Sequence, residues 1–130
     1  MSGTVPDGSK PALVLIVEDE EPLAETLAFI VEEAGYRPLV AMHGRQGVQL
    51  ALEQRPALVI TDLMLPHLDG AELIAAVRAK ARARGEAPPP LILMTAASMA
   101  QARLAGADAL LRKPFHLVEL EALLARFLEK

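Results

Sequence analysis

The sequence predicts an α/β fold, a doubly wound five-stranded parallel sheet with helices on both faces. Short runs of aliphatic and β-branched residues alternate five times with segments whose apolar residues recur every three or four positions. The strand-like runs are apolar throughout, as expected of strands that are buried on both faces. Apolar residues make up 52% of the 130 residues, which is enough for one core and one domain. Such an alternation of strands and helices is typical of a parallel sheet covered by helices.

The first strand is predicted at residues 12–17, a continuous run of alanine, leucine, valine and isoleucine. Pro22 suits the first turn of the helix that follows, and Gly35 ends the apolar repeat of that helix. Residues 1–11 contain glycine, serine and proline without apolar periodicity. We therefore expect a flexible tail at 1–11 and one domain over 12–130.

Four further pairs of a strand and a helix follow. The remaining strands are predicted at 39–41, 56–61, 91–94 and 109–111. The second helix is expected to begin near Gly44, and the third to end near Gly85. A short fourth helix is predicted at 97–105 and a strongly striped fifth helix at 117–128. The prolines at 88–90 favour an extended chain before the fourth strand, and we expect the connection 82–90 to lie at the surface.

Composition excludes several classes of protein. The chain lacks cysteine, which excludes disulfide scaffolds and thiolate metal or redox sites. A net charge of −4 and an aromatic content of 3%, with no tryptophan, argue against nucleic-acid binding. No apolar run reaches the roughly 18 residues of a membrane span, and the N-terminus has no signal-peptide pattern. These features predict a small, acidic, cytoplasmic domain with no nucleic-acid or membrane partner.

Polar residues follow four of the predicted strands at the edge where such sheets bind ligands. Glu18 and Asp19 follow the first strand, Asp62 the third, Thr95 the fourth and Lys113 the fifth. If the first and third strands are neighbours, the three carboxylates converge, and they repel one another unless a cation lies among them. Oxygen ligands without histidine or cysteine favour Mg²⁺ or Ca²⁺, and the absence of a twelve-residue calcium loop favours Mg²⁺. Together with a lysine and a hydroxyl, this set indicates a phosphoryl site with Asp62 as the covalent acceptor.

Each of these residues also has a purely structural interpretation. Asp19 could cap the first helix, Asp62 could accept hydrogen bonds from loop N–H groups, Thr95 could cap the fourth helix, and Lys113 could be a solvated surface lysine. Taken singly, these interpretations are preferred. Taken together they require four unrelated coincidences at strand ends, so a shared site is the better hypothesis.

Two other groups of polar residues are interpreted as structural. His43, His67 and His116 lie on separate connections without ligand spacing, and we expect them to be solvated loop or helix-start residues. A basic cluster lies on the third helix and is expected to form a solvated face, with a docking surface for an acidic partner as the second interpretation. The cluster consists of Arg78, Lys80, Arg82 and Arg84.

Four separated stretches resemble the receiver domain of two-component response regulators. They are LIVEDE at 15–20, VITDLMLPHLDG at 59–70, LMTA at 93–96 and GADALLRKPF at 106–115. The resemblance covers the chain from residue 12 to its end and implies the flavodoxin-like strand order 2-1-3-4-5. It also implies a phosphorylation-dependent switch that takes its phosphoryl group from a sensor histidine kinase or a phosphorelay protein.

The resemblance assigns roles to the strand-end residues. Asp62 is the phosphoacceptor, and Asp19, Asp62 and the main-chain carbonyl of Met64 hold Mg²⁺, with Glu18 acting through a bound water. Lys113 contacts the phosphoryl group and Asp62, and the Lys113–Pro114 bond is expected to be cis. Thr95 supplies the hydroxyl that moves onto a phosphoryl oxygen.

The chain departs from the family pattern in three places, one of which is the connection 82–90, a little longer than usual as in a surface insertion. Leu110 occupies the position of an aromatic residue that usually turns inward on activation, and we expect Leu110 to be an ordinary strand residue. Thr95 and Lys113 are closer in sequence than is usual by about one helical turn, which predicts a shortened fourth helix. Because that helix contributes to the usual dimer face, we expect a monomer or a weak dimer.

The function predicted from these features is a switch that signals by contact with an output protein of unknown identity. No output domain is expected within the 130 residues, and chemistry is limited to Mg²⁺-dependent self-phosphorylation of Asp62 with slow autodephosphorylation. Met64 and Ala97 are apolar at positions that tune this hydrolysis, so the aspartyl phosphate should persist. One alternative is a haloacid-dehalogenase-type phosphohydrolase, against which Met64 argues because that class has a second aspartate there. The other is a receiver-like docking or dimerisation module that is not phosphorylated.

Overall fold

The computed structural model describes residues 10–96 and 99–129. Within these residues five strands alternate with five helices. The strands are β1 Leu13–Val17, β2 Arg37–Ala41, β3 Leu58–Asp62, β4 Leu91–Thr95 and β5 Ala109–Arg112. The helices are α1 Glu21–Glu33, α2 Gly44–Gln54, α3 Gly70–Ala83, α4 Met99–Leu104 and α5 Leu117–Leu128. Residues 1–9 of the predicted tail lie outside the described residues, as do positions 97 and 98 of the predicted fourth helix.

All five strands are parallel and form one sheet in the order β2-β1-β3-β4-β5. The predicted fold class and strand order are therefore confirmed. Strand β1 lies between β2 and β3, and the last residue of β1, Val17, pairs with Thr61 of β3. This register places the residues that follow β1 beside the last residue of β3.

The core consists of two apolar layers, one on each face of the sheet. Leu15, Val59 and Leu93 are fully buried on the face covered by α2, α3 and α4. Ile16 and Ile60 are fully buried on the face covered by α1 and α5. Because alternate residues of each strand enter opposite layers, an apolar run without polar interruptions is what such a sheet requires.

The strands differ from their predicted bounds where polar or proline residues join the sheet. Strand β2 begins at Arg37 rather than at residue 39, because the Arg37 N–H donates to the Ala12 carbonyl at 2.9 Å. Asp62 and Thr95 are the last residues of β3 and β4 rather than the first residues after them, since Asp62 pairs with Met94 and Thr95 with Arg112. Two of the predicted site residues are therefore held by the sheet itself.

The three histidines are exposed connection residues, as predicted. His43 precedes α2, and its Nδ1 accepts a hydrogen bond from the Gln46 N–H at 3.2 Å. His116 precedes α5, and His67 lies in the loop between β3 and α3. The His43 side chain therefore caps the start of α2.

The predicted basic face of α3 is divided between different environments. Arg78 is half-buried and donates to the Gly106 carbonyl at 2.7 Å and to the Asp108 carboxylate at 3.3 Å, so the prediction of a solvated side chain is wrong for this residue. The other three side chains of the cluster are exposed, as predicted. No helix within the described residues is long and apolar enough to cross a membrane.

Candidate functional site

Three carboxylates meet at the C-terminal edge of the sheet. Glu18 and Asp19 follow β1, and Asp62 ends the neighbouring strand β3, so the strand order alone brings them together. One carboxylate oxygen of each residue lies within 4.8 Å of the others. Glu18 is fully buried and Asp62 is 7% exposed, whereas Asp19 is exposed to solvent. We call these three residues the acidic cluster.

Lys113 reaches this cluster from the loop between β5 and α5. Its Nζ lies 3.1 Å from Asp62 Oδ2 and 3.3 Å from Glu18 Oε1, and its side chain is only 17% exposed. The Lys113 N–H donates to the Thr95 carbonyl at 2.8 Å, and the Lys113–Pro114 peptide bond is cis, as the resemblance implies. The alternative interpretation of Lys113 as a solvated surface residue is therefore wrong.

Burial and charge shift the ionisation of the two most enclosed partners. Burial raises the pKa of the Glu18 carboxyl, and the charge of Asp62 adds to this effect. The Glu20 N–H, which donates to Glu18 Oε2 at 3.0 Å, and the Lys113 ammonium act in the opposite direction. Burial by itself lowers the pKa of Lys113, but the charges and hydrogen bonds of Asp62 and Glu18 outweigh it and raise that pKa above its usual range. Lys113 is therefore a cation at neutral pH.

The main chain around Asp62 is held closely by its neighbours. The Thr61 hydroxyl donates to the Asp62 carbonyl at 3.0 Å. The Gly70 N–H donates to the Leu63 carbonyl at 2.8 Å, which draws the start of α3 against the end of β3. A Cβ at position 70 would overlap the Asp62 carbonyl oxygen and lie 2.9 Å from the Leu63 Cα. Gly70 directly follows Asp69, the N-cap of α3, and the motifs of the sequence assign it no role in the site.

The remaining predicted residues occupy the same edge of the sheet. Thr95 is fully buried at the end of β4, one residue beyond the partner of Asp62. Met64 follows β3 by two residues and is 63% exposed. Leu110 is a half-buried residue of the edge strand β5 that pairs with Leu93, as predicted for an ordinary strand residue. Ala97 lies outside the described residues.

Asp19 does not cap the first helix. The N-cap residue of α1 is Glu20, and the Glu20 side chain makes no capping hydrogen bond. The Asp19 side chain belongs instead to the acidic cluster. The structural interpretation of Asp19 from sequence is therefore wrong.

The donor set suits a hard divalent cation. Three carboxylates face a single ammonium group, so the site carries a formal excess of two negative charges when all four groups are ionised. Every side-chain donor of the cluster is a carboxylate oxygen, the ligand type that Mg²⁺ and Ca²⁺ prefer over softer metals. Carboxylates this close repel one another, and a cation among them would relieve that repulsion.

A family model of the response regulator receiver domain matches residues 14–125. The chain belongs to this family. It is therefore a phosphorylation-dependent switch of two-component signalling, and the family match argues against the phosphohydrolase alternative. The match spans every strand from β1 to β5 apart from the first residue of β1.

Solved receiver structures share the fold over nearly the whole chain. The receiver domain of a signal transduction histidine kinase from Syntrophus aciditrophicus is 33% identical, with a TM-score of 0.80 over 90% of this chain and 89% of that one. The receiver domain of a sensor histidine kinase from Pseudomonas aeruginosa, which holds a magnesium ion in its active-site cleft, is 30% identical, with a TM-score of 0.81 over 92% and 99%. The Saccharomyces cerevisiae receiver domain of Ssk1, solved with the histidine phosphotransfer protein Ypd1, is 26% identical, with a TM-score of 0.83 over 92% and 91%.

A curated relative is longer than this chain. The uncharacterised transcriptional regulatory protein YkoG of Bacillus subtilis is 36% identical over 117 residues, which are 87% of this chain and 48% of YkoG. The chain thus spans about half the length of that relative.

Proposed function

We propose that Asp62 accepts a phosphoryl group from a phosphohistidine of a sensor histidine kinase or a histidine phosphotransfer protein, in a Mg²⁺-dependent reaction. The observation that carries this proposal is the position of Lys113 Nζ, 3.1 Å from Asp62 Oδ2 and 3.3 Å from Glu18 Oε1 at the open edge of the sheet. An ammonium group at this point pairs with the Asp62 side chain and faces the space that a phosphoryl group would enter.

The transfer exchanges one bond to phosphorus for another. The Asp62 carboxylate oxygen forms the new O–P bond, the N–P bond of the phosphohistidine breaks, and the imidazole leaves with its electron pair and takes a proton from solvent. Lys113 balances charge on the phosphoryl oxygens. Glu18, Asp19, Asp62 and the main-chain carbonyl of Met64 would hold Mg²⁺, which supplies further neutralisation of the phosphoryl charge.

Thr95 is proposed as the residue that reports the phosphorylated state. Its hydroxyl lies on the strand beside β3, and a hydrogen bond to a phosphoryl oxygen would draw the end of β4 towards Asp62. Because Leu110 cannot act as an aromatic switch, the movement of β4 reaches the surface without the side-chain rotation that is usual in the family. The output is a contact with another protein, made by a monomer or a weak dimer.

The complex of Ypd1 with the Ssk1 receiver supports a histidine phosphotransfer protein as one donor, since the two receivers share the fold at a TM-score of 0.83. The magnesium ion in the Pseudomonas aeruginosa receiver supports Mg²⁺ as the cation of the acidic cluster. The bounds of β1, which begins at Leu13, support a domain that begins at residue 12.

Substitution of Asp62 by asparagine is expected to abolish phosphorylation. The wild-type chain incubated with Mg²⁺ and a small-molecule phosphodonor should gain one phosphoryl group, measured by intact mass, because the carboxylate oxygen is the nucleophile. Asp62→Asn should show no adduct. Glu21→Gln is the matched control, since Glu21 is an exposed carboxylate at the start of α1 outside the acidic cluster, and it should be phosphorylated like the wild type.

Other results of the same experiment would contradict the proposal. Absence of an adduct on the wild type would favour a docking module that is not phosphorylated. Continuous release of inorganic phosphate without an accumulating adduct would favour a phosphohydrolase.

The aspartyl phosphate is expected to persist once formed. The exposed Met64 side chain cannot hold an attacking water by hydrogen bonding, so the isolated protein should lose its label slowly. Met64→Gln should lose the label several-fold faster, measured as the decay of the phosphorylated mass after removal of the donor. Leu104→Gln, a polar substitution of an exposed apolar residue on α4, is the control and should decay at the wild-type rate. Equal decay of the wild type and Met64→Gln would refute the role given to position 64.

A further inference from the structure

A groove of about 470 Å³ runs between α2 and α3, outside the acidic cluster. Its floor is apolar and consists of Val48 and Leu52 on α2, Ala76 on α3 and Leu68 in the preceding loop. The first two are buried and the last two are half-buried. The groove thus offers apolar surface at the bottom of a channel between two helices.

The rim of this groove is basic. Arg45 lies in the first turn of α2, Lys80 lies in α3, and Arg84 follows the end of α3, and all three are exposed. The one acidic residue lining the groove is Glu53, which accepts a hydrogen bond from Gln49 at 3.1 Å. The rim therefore carries a local excess of positive charge, although the whole chain has a net charge of −4.

In the described part of the chain, the rim cations form no ion pair that links one element of the fold to another. Arg55 pairs with Glu86 at 2.7 Å, and Arg78 pairs with Asp108, so these two arginines connect separate elements. Across residues 10–96 and 99–129, no ion pair involves Arg45, Lys80 or Arg84. Three cations around an apolar floor are complementary to a segment with acidic flanks and an apolar stripe.

We propose that the groove between α2 and α3 binds an acidic amphipathic helix of another protein. Such a helix would place its apolar residues on Leu52 and Ala76 and its carboxylates against the rim cations, as in other helix-in-groove complexes. A nucleic acid fits less well, because the lining has no aromatic residue for base stacking and the chain as a whole repels a polyanion. None of the lining residues belongs to the acidic cluster, so this inference goes beyond the proposed phosphoryl transfer.

The probe for this proposal is a fluorescent helical peptide with leucine along one face and glutamate on both flanks. It should bind the wild-type protein at low ionic strength, measured by fluorescence anisotropy, and the methyl NMR signals of Val48, Leu52 and Leu68 should shift. The variant Arg45→Gln/Lys80→Gln/Arg84→Gln should bind at least about tenfold more weakly. A peptide with glutamine in place of glutamate should lose affinity to a similar degree, and added salt should weaken the charged peptide.

A second triple variant tests whether peptide binding depends on the rim cations or only on the net charge of the protein. Arg103→Gln/Arg112→Gln/Arg126→Gln removes the same number of exposed cations from α4, β5 and α5 and should leave peptide binding unchanged. Equal loss of binding in both triple variants would overturn the proposal, as would methyl shifts confined to other surfaces. Tighter binding of a short DNA duplex would assign the groove to nucleic acid, and self-association that is lost only in the groove variant would assign it to a second copy. Phosphorylation of Asp62 in the groove variant, at the wild-type level, would show that its fold is intact.

Discussion

Replacement of Gly70 by alanine is expected to destabilise the domain by about 2–3 kcal/mol, because the new methyl group has no space. It would overlap the Asp62 carbonyl oxygen and lie 2.8 Å from Leu93 Cδ1 and 2.9 Å from the Leu63 Cα. Two of these three neighbours are main-chain atoms, which cannot move aside without displacing β3. Alanine has the better intrinsic helix propensity by about 1 kcal/mol, and the steric cost outweighs that gain.

The measurement is the free energy of unfolding from urea titration of wild-type and variant proteins. Gly85→Asn is the matched control, because Gly85 has a φ of +71° and open space around the position of a Cβ. Asparagine tolerates this left-handed conformation better than other residues that have a side chain, so the control should lose less than about 1 kcal/mol. A Gly70→Ala variant as stable as the wild type would contradict the close approach of α3 to β3.

Replacement of Lys113 by methionine is expected to cost about 3 kcal/mol at about pH 8 without divalent cations, the lower end of the range for breaking a buried ion pair. The variant would leave the fully buried Glu18 and the nearly buried Asp62 without their cation. Methionine keeps most of the side-chain length, so the loss reports the charge rather than the packing. Addition of Mg²⁺ should restore much of the stability, because the folded state of the variant needs a cation more than that of the wild type.

The pH dependence of this variant follows from the carboxyl group that Lys113 compensates. A pKa that is higher in the folded than in the unfolded state contributes stability at low pH, and this contribution is lost as the pH rises through the folded value. The pKa of Glu18 is already raised in the wild type, and removal of Lys113 raises it further. Lys113→Met should therefore lose more stability than the wild type between about pH 5 and about pH 8. The raised pKa of Lys113 itself lies above this interval.

Thermal unfolding at the two pH values, with EDTA and with Mg²⁺, provides the measurement. Lys80→Met is the control, since Lys80 is exposed on α3 and its removal should change stability by less than about 0.5 kcal/mol at either pH. If Lys113→Met matched this control at the higher pH, the ion pairs with Glu18 and Asp62 would not stabilise the fold.

Most of the fold could be predicted because the strands are buried on both faces. A run such as residues 13–17 has no polar residue to interrupt it, and the intervening helices show a clear apolar stripe. The prediction fell short at β2, where Arg37 and Pro38 belong to the strand although neither favours one. Their extended conformation results from pairing with β1. The local sequence does not show which strand will be the partner, so this pairing could not be predicted.

The residues that form the site could be predicted from the sequence, but the contacts that hold them in position could not. Residues that follow adjacent parallel strands meet at one edge, which is how Glu18 and Asp62 could be paired from the sequence. The contact of Lys113 with Glu18 joins positions 95 residues apart, and its geometry depends on the whole sheet. The Arg78–Asp108 pair likewise joins α3 to the segment before β5, so no pattern within α3 could reveal that this arginine differs from its neighbours.

The edge strand β2 has a consequence for behaviour at high concentration. The Arg37 N–H faces β1, and because successive N–H groups of a strand alternate in direction, the nitrogen of Pro38 faces the free edge of the sheet. Proline has no hydrogen to donate there, so the exposed edge lacks one of the donors that an incoming strand would need. The missing N–H donor and the charged side chain of Arg37 make this edge a poor template for strand addition. They thereby protect the domain from edge-to-edge aggregation.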